Sequence, residues 1–309
     1  MNLILWLIVF AISLIALVKS ANIFTKYSEK LGHVLGMPQF IVGVLIVAIG
    51  TSLPELATSL SSVWHQETGM VAGNVLGTVI ANILLGLGLA AIFSKRLIKM
   101  KWDISFGDLP LYVGAIILVI FTMLDGVLTW KEALLFLFGY LIYFFYSLET
   151  HRQNKKSSRE KFHWPILVFM GISLVVVIFA SNWLVKSTIE MATILGFGTS
   201  VLATSLIAVG TSLPEISVAL AAARRGNYDL LVGNIIGSNI FDIFVIFGIA
   251  GLVSPLNIPQ TITGLVIPAI IAVSVLYWVI TSDKKITRTE GILMVLIYIL
   301  FLGKLFNFI

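Results

Sequence analysis

The segment AIGTSLPE at residues 48–55 occurs again, almost unchanged, as AVGTSLPE at residues 208–215. A second pair of similar segments follows, GNVLGT at 73–78 and GNIIGS at 233–238. Around them, 47 residues of the first half align without gaps to the second half at an offset of 160, and 15 of the 47 positions are identical. Internal similarity at this distance indicates that the chain consists of two related halves.

The composition is that of an integral membrane protein. Of the 309 residues, 59% are hydrophobic and 11% are charged, whereas ordinary soluble domains are about 45–50% apolar and about 25% charged. The mean hydropathy is +1.04, and a soluble fold of this length could not bury so much apolar surface. Soluble enzymes and nucleic-acid-binding proteins are therefore excluded. Because the chain has no cysteine, disulfides and thiolate metal sites are excluded as well.

Ten stretches are apolar enough for a membrane span, which takes about 20 residues. They are 3–24, 38–64, 69–93, 108–124, 130–149, 164–186, 198–223, 229–252, 262–281 and 290–307. The first has no Lys or Arg before it, so we interpret it as a retained span and not as a cleavable signal peptide. The longest polar stretch predicts a linker at 151–163 between a first repeat at 1–150 and a second at 164–309.

The positive charges fall mainly on one side of this ten-span arrangement. If the chain starts outside, 17 of the 20 Lys and Arg residues lie in inside loops and 3 lie outside. The positive-inside rule then predicts a multi-pass protein of the plasma membrane with both termini outside and the 151–163 loop in the cytoplasm. This distribution explains the net charge of +5 without a nucleic-acid partner.

Five spans per half is an odd number, so the second half enters the membrane from the opposite side. We therefore predict an all-α integral membrane protein with ten transmembrane helices, arranged as two inverted five-helix repeats. Many secondary transporters have this architecture, with a binding site near the membrane midplane between the repeats.

Three acidic residues fall where the spans are deepest: Glu55, Glu215 and Asp242. Asn82 occupies the position equivalent to Asp242, and no Lys or Arg lies at a matching depth. Charged residues inside spans are costly, so the natural partner of these acids is a cation from solution. The alternative is that burial keeps the carboxyls protonated; two symmetry-related acids and a third make this alternative weaker.

Prolines and polar side chains around the acids favour a hard cation. Pro54 and Pro214 have no N–H, so the carbonyls of Gly50 and Gly210 lose their helical partners and become oxygen ligands, as Na⁺ and Ca²⁺ prefer. Helical spacing groups further oxygen-bearing positions with the acids: Ala48, Thr51, Ser52, Asn74, Thr78 and Asn82 in the first half, and Ala208, Thr211, Ser212, Asn234 and Ser238 in the second. Such a set argues against zinc and copper.

Each of these residues also has an ordinary structural interpretation. An isolated Ser or Thr in a membrane helix usually donates to its own backbone. The glycines at 73, 77, 233 and 237 have the small-xxx-small spacing of closely packed helices, and we interpret them as packing residues.

The two GTSLPE segments and the GNVLGTVIAN and GNIIGSNIFD segments resemble the alpha repeats of the sodium/calcium exchangers, in the cation/Ca²⁺ antiporter superfamily. With a central loop of about fifteen residues, the chain is similar to prokaryotic members without a regulatory domain. The resemblance implies an antiporter that exchanges Na⁺ for Ca²⁺ by alternating access, not an enzyme, with no permanently bound cofactor and no evident protein partner. It implies the following ion ligands: Ala48, Thr51, Ser52, Glu55, Thr78, Asn82, Ala208, Thr211, Ser212, Glu215, Ser238 and Asp242.

Some alternatives remain open at this point. Proton/calcium exchangers of the superfamily carry an acid shortly after the Gly-Asn pair, where this chain has Gly77 and Gly237, which counts against proton coupling. Potassium-dependent exchangers have an acid where Asp242 stands, but so do prokaryotic relatives with no obvious need for K⁺. A cation channel is a more distant alternative, since channels usually form their pore from symmetric subunits. The resemblance also makes the apolar spans 3–24 and 164–186 candidates for the moving gate.

Overall fold

The structure is a computed structural model, and it describes residues 3–34, 48–94, 98–99, 107–150, 163–226, 228–283 and 285–309. The predicted span at 38–64 therefore lies partly, and the 151–163 linker almost wholly, outside the described residues.

Twelve helices account for most of the described chain. The first half contains α1 (Leu3–Val34), α2 (Ala48–Thr51), α3 (Leu53–Trp64), α4 (Gly69–Phe93), α5 (Asp108–Met123) and α6 (Trp130–Thr150). The second half contains α7 (Pro165–Leu195), α8 (Thr199–Thr211), α9 (Leu213–Arg225), α10 (228–253), α11 (Ile262–Ser282) and α12 (Arg288–Leu305). Four of these helices include a π-helical segment: Asn82–Leu87 in α4, Ala203–Ile207 in α8, Asp242–Ile246 in α10 and Ile262–Val266 in α11.

Among the described residues, six helices are long and apolar enough to cross a membrane, and the bent pair α8–α9 would make a seventh. The prediction of an all-helical membrane protein is confirmed at this level. Helices α1 and α7 extend to Val34 and Leu195, well beyond the predicted spans, because a helix continues until a stop signal and not only as far as its apolar residues. In α7 that signal is Gly196, which caps the helix in the left-handed conformation at φ 72°.

Two short antiparallel pairs join loops of the two halves. Strand β1 (Ile98–Lys99) pairs with β4 (Lys285–Ile286), and β2 (Val127–Leu128) pairs with β3 (Leu256–Asn257). An all-α prediction misses these strands because two residues carry no detectable periodicity. Each pair buries one apolar side chain from either strand, Ile98 with Ile286 and Leu128 with Leu256.

Helices α4 and α10 lie at the centre of the protein. In each, 83% of the most apolar window is buried, compared with 28% in α1 and α7. Helices α1 and α7 pack mainly against one another and form a second apolar cluster beside the main core. Four residues of the predicted site, Thr78, Asn82, Ser238 and Asp242, therefore lie on the two most buried of the long helices.

Close packing at two glycines brings α4 against α8. A Cβ atom added at Gly73 would lie 2.6 Å from the carbonyl oxygen of Ser200, and one at Gly77 would overlap the backbone of Thr204. The packing interpretation is confirmed for these two. No described atom lies within 4 Å of a Cβ on Gly233, and the nearest to Gly237 is the Tyr143 hydroxyl at 3.7 Å. For Gly233 and Gly237 the packing interpretation therefore stays a prediction.

Candidate cation site

Two broken helices position the glutamates. Helix α2 is separated from α3 at Ser52, and α8 from α9 at Ser212, where the two halves of the second helix are bent by 45°. Helices α3 and α9 each begin with Pro in the first turn, followed by Glu55 or Glu215. Proline is favoured there because the first N–H groups of a helix have no internal partner. The carboxylates lie at the positive end of each half-helix.

The second break leaves the Gly210 carbonyl without its usual helical partner, because Pro214, four residues later, has no N–H. The Ser212 N–H donates to the Ala208 carbonyl at 3.1 Å and also points towards the Gly210 carbonyl. That the Gly210 and Gly50 carbonyls bind a cation stays a prediction.

We expect Pro54→Ala and Pro214→Ala to weaken Na⁺ affinity several-fold while leaving a folded protein. Alanine supplies the N–H that proline lacks and favours a continuous helix through the break. The measurement is the Na⁺ concentration that half-saturates Ca²⁺ exchange in liposomes, with detergent monodispersity as the folding control. An unchanged Na⁺ dependence in both variants would exclude a role for the helix break in Na⁺ binding.

Helices α4 and α10 each pack against the broken helix of the other half. The π-helical segment of α4 begins at Asn82 and that of α10 at Asp242, which are equivalent positions. Helix α3 packs against the segment that begins at Asp242, and α9 packs against the one that begins at Asn82. π-Helical turns are rare and frequently mark functional sites. Their coincidence with the two equivalent residues has no signal in the sequence pattern.

The three acids are almost completely buried. Glu55, Glu215 and Asp242 are at most 1% exposed, and none of their six carboxylate oxygens has a hydrogen-bond partner among the described residues. The acids lie close enough to interact electrostatically with one another. Unpaired buried charges are costly, so this arrangement calls for a cation as counter-charge.

Hydroxyl groups flank these carboxyls across the two halves. Thr211 lies beside Glu55, and Thr51 beside Glu215, so that each glutamate faces the threonine of the other half. Ser52 lies beside Asp242. The structure thus brings together seven of the predicted site residues, counting Asn82 on the segment that packs against α9.

The predicted ligands not yet placed are Ser212, Ser238, Thr78, Ala208 and Ala48, and the first four of these are buried. Thr211, Ser212 and Ser238 donate to carbonyls of their own helices, at 3.1, 2.6 and 3.2 Å, as isolated Ser and Thr residues often do. A hydroxyl that donates its hydrogen to a carbonyl still presents oxygen lone pairs to a cation. Thr78 is 1% exposed, and its hydroxyl has no partner in the described part. Ala208 is fully buried; Ala48 begins α2, and its surroundings lie outside the described residues.

Two asparagines have roles that the predicted ligand set omits. Asn74 donates from Nδ2 to the Glu55 carbonyl at 3.2 Å and to the Ser59 hydroxyl at 3.1 Å, and so fastens α4 to α3. Asn239 accepts a hydrogen bond from Asn82 at 3.0 Å. A polar residue in an apolar span was the available signal for Asn239, whose counterpart in the first half is Val79.

The acids do not form a metal site by themselves in the part of the chain that the structure describes. Within the described ranges, no three His, Cys, Asp or Glu side chains converge closely enough to hold a metal ion by themselves. Three carboxylates repel each other, and here the further oxygens are hydroxyl, amide and carbonyl groups. This composition suits a hard cation.

The helical fold and the buried oxygen site define a membrane transporter for cations. The sequence profile of the family described as sodium/calcium exchanger protein matches residues 5–149 and 165–306. The chain belongs to this sodium/calcium exchanger family.

Individual relatives agree with the family. The sodium/calcium exchanger MaX1 of Methanosarcina acetivorans is 30% identical, over 97% of this chain and 98% of its own length. The inner membrane protein YrbG of Escherichia coli is 30% identical over 79% of this chain and 78% of its own. A solved structure of the sodium-calcium exchanger NCX_Mj, soaked with Na⁺ and Sr²⁺, is 30% identical and superimposes with a TM-score of 0.67 over 97% of this chain and 98% of its own.

Proposed function

We propose that the protein exchanges Na⁺ for Ca²⁺ across the membrane through the site between its two halves. The observation that carries this proposal is the set of three buried carboxyls, contributed by both halves, whose oxygens have no hydrogen-bond partner in the described part. With no cation the carboxylates repel each other, which disfavours the conformational change in the empty carrier. Either Ca²⁺ or several Na⁺ neutralise the site and permit the change, so the two ions are exchanged and do not leak.

The proposed ion ligands are oxygen atoms from both halves. Four residues on the broken helices of each half contribute: Ala48, Thr51, Ser52 and Glu55, and Ala208, Thr211, Ser212 and Glu215. Helices α4 and α10 contribute Thr78, Asn82, Ser238 and Asp242. The alanines would bind through their backbone carbonyls, since their side chains carry no donor atom.

We propose that the helices form ten spans in two inverted repeats, at 1–150 and 164–309. Each helix of the first half has a counterpart about 160 residues later, and the break at Ser52 recurs at Ser212. The pairing of the short strands supports opposite orientations of the two repeats in the membrane. Strand β1 pairs with β4, and β2 pairs with β3. In the ten-span topology, each pair joins loops on the same side of the membrane.

We place both termini outside and the 151–163 linker in the cytoplasm of a plasma-membrane protein. The 17-to-3 distribution of basic residues supports this orientation, and the name of the Escherichia coli relative, an inner membrane protein, supports the membrane. A cysteine introduced by Ser157→Cys is expected to resist an impermeant thiol reagent in intact cells and to react after permeabilisation. Rapid labelling in intact cells would reverse the orientation.

We propose α1 and α7 as the gate that moves past the site. They pack chiefly against each other. Together with α6, they are the least buried of the long helices. Helix α1 also contacts the residues that precede both breaks: a Cβ on Gly50 would overlap Thr25, and one on Gly210 would lie 2.6 Å from Leu14. Movement of α1 would therefore reach both broken helices.

Uptake of ⁴⁵Ca²⁺ into liposomes that contain the purified protein tests the coupling. An outward Na⁺ gradient is expected to raise uptake at least tenfold over liposomes loaded with choline, in the absence of K⁺. Equal uptake in the two cases would contradict the proposal. Uptake driven by a pH gradient without Na⁺ would indicate proton coupling, a requirement for K⁺ would indicate a potassium-dependent exchanger, and single-channel currents would indicate a channel.

A further inference from the structure

The hydrogen bond between Asn82 and Asn239 joins the two halves inside the core. The Asn82 Nδ2 atom donates to the Asn239 Oδ1 atom at 3.0 Å, across 157 residues of sequence. Both side chains are 1% exposed. Asn82 begins the π-helical segment of α4, and Asn239 lies three residues before that of α10.

This bond fixes the orientation of the Asn82 amide. A side-chain amide has an oxygen that accepts and a nitrogen that donates, and only the oxygen can bind a cation. Because Nδ2 is engaged by Asn239, the Asn82 Oδ1 atom points elsewhere, and it is buried with no partner among the described residues. The opposite orientation would present N–H groups, whose positive ends repel a cation.

The two halves differ at the positions of this hydrogen-bonded pair. At the offset of 160, Asn82 corresponds to Asp242, and Asn239 corresponds to Val79, which is fully buried. An ionised carboxylate presents two equivalent oxygens whichever way it turns, so Asp242 needs no orienting partner and faces none from Val79's position. The Asn82 amide does need an orienting partner. Asn239, in the second half, is that partner.

Asn239 also has a cost that an apolar residue would avoid. Its Nδ2 atom is buried with no partner in the described part of the chain, and an unsatisfied buried donor is destabilising. A valine, as at position 79, would carry no such penalty. The placement of Asn239 is therefore not explained by packing alone.

We propose that Asn239 is a positioning residue that holds the Asn82 amide with its oxygen towards the transported cation. This inference rests on the proposed function, because it takes Asn82 as an ion ligand. Asn239 acts through Asn82 and is not itself a ligand.

Equilibrium binding of ⁴⁵Ca²⁺ to the purified protein, with Na⁺ as competitor, tests the inference without requiring transport. We expect Asn239→Val to weaken the binding of Ca²⁺ or of Na⁺ about tenfold, which corresponds to about 1.4 kcal/mol. Asn239→Asp keeps an acceptor for Asn82 and is expected to bind Ca²⁺ at least as tightly as the parent protein. In an Asn82→Ala background, Asn239→Val is expected to cause no further loss, since no amide remains to be oriented.

Three results would each overturn the inference: unchanged affinity for both ions in Asn239→Val, a full additional loss in the Asn82→Ala background, or an equal loss in Asn239→Asp. Thermal stability is measured in parallel, and Asn239→Leu replaces the valine variant if that variant does not stay monodisperse. If the parent protein binds Ca²⁺ but shows no Na⁺-driven uptake, the proposed exchange fails while the binding comparison still decides the role of Asn239.

Discussion

Glu55→Gln and Glu215→Gln are each expected to reduce Ca²⁺ exchange at least a hundredfold while leaving a folded protein. Both carboxyls are buried, interact with each other and lack hydrogen bonds to described residues. A carboxylate and a cation are attracted to each other, and two unit charges about 4 Å apart interact by about 4 kcal/mol at an effective dielectric near 20. Desolvation of the ion lowers the net attraction, but a tenfold change in ion affinity needs only about 1.4 kcal/mol. Flux of ⁴⁵Ca²⁺ in liposomes measures the loss.

Asp242→Asn is the matched control for this prediction. Its amide is the side chain already present at the equivalent position, Asn82, so its charge is not a requirement of the twofold symmetry. We expect a milder loss of Ca²⁺ exchange and a change mainly in the dependence on monovalent ions or protons. If either glutamate variant kept near-normal flux while Asp242→Asn was inactive, the assignment of the central site would be wrong.

Gly77→Ala is expected to lower both thermal stability and exchange. The added Cβ would overlap the carbonyl oxygen of Thr204 and lie 2.8 Å from its Cα and 2.9 Å from the Ala208 Cβ. Backbone atoms cannot turn aside as a flexible side chain can, so α4 and α8 must separate. Overpacking of this kind costs about 1–3 kcal/mol, and here it moves two helices that carry proposed ion ligands. Thermal unfolding in detergent and ⁴⁵Ca²⁺ flux measure the two effects.

Gly114→Ala provides a comparison with the same chemical change. Gly114 lies within α5, and no described atom lies within 4 Å of its added Cβ. Replacing glycine by alanine in an open helical position stabilises the helix by up to about 1 kcal/mol. A loss of stability in Gly114→Ala equal to that in Gly77→Ala would show that the close approach of α4 and α8 is not the cause.

The sequence was sufficient for the helix breaks and for the acids near them. Proline and glycine in the doubled GTSLPE segment disfavour a continuous helix, and the structure breaks both helices one residue after Thr51 and Thr211. The breaks are confirmed because they depend on local chemistry: proline lacks an N–H and disfavours a continuous helix. The counter-charge that a carboxyl in an apolar span needs stays a prediction. The offset of 160 then paired each residue with its counterpart.

Other features depend on tertiary contacts and leave little local signal. Strands β1 to β4 have two residues each and exist because two loops meet. The π-helical segments at Asn82 and Asp242 consist of residues that are equally compatible with a regular helix. The contact of Asn82 with Asn239 breaks the internal symmetry, so aligning the two halves could not reveal it. Apolar length alone does not predict how far α1 and α7 extend, because both helices continue past their most apolar residues.

Simultaneous measurement of ²²Na⁺ efflux and ⁴⁵Ca²⁺ uptake in the same liposomes tests the central claim most directly. The liposomes contain the purified protein, are loaded with ²²Na⁺ and are diluted into Na⁺-free medium. If both ions use one site, as we propose, Ca²⁺ in the medium accelerates ²²Na⁺ efflux in step with its own uptake, and Glu215→Gln abolishes both fluxes together. Efflux of ²²Na⁺ at the same rate without Ca²⁺, or the loss of only one flux in Glu215→Gln, would contradict exchange through a shared site.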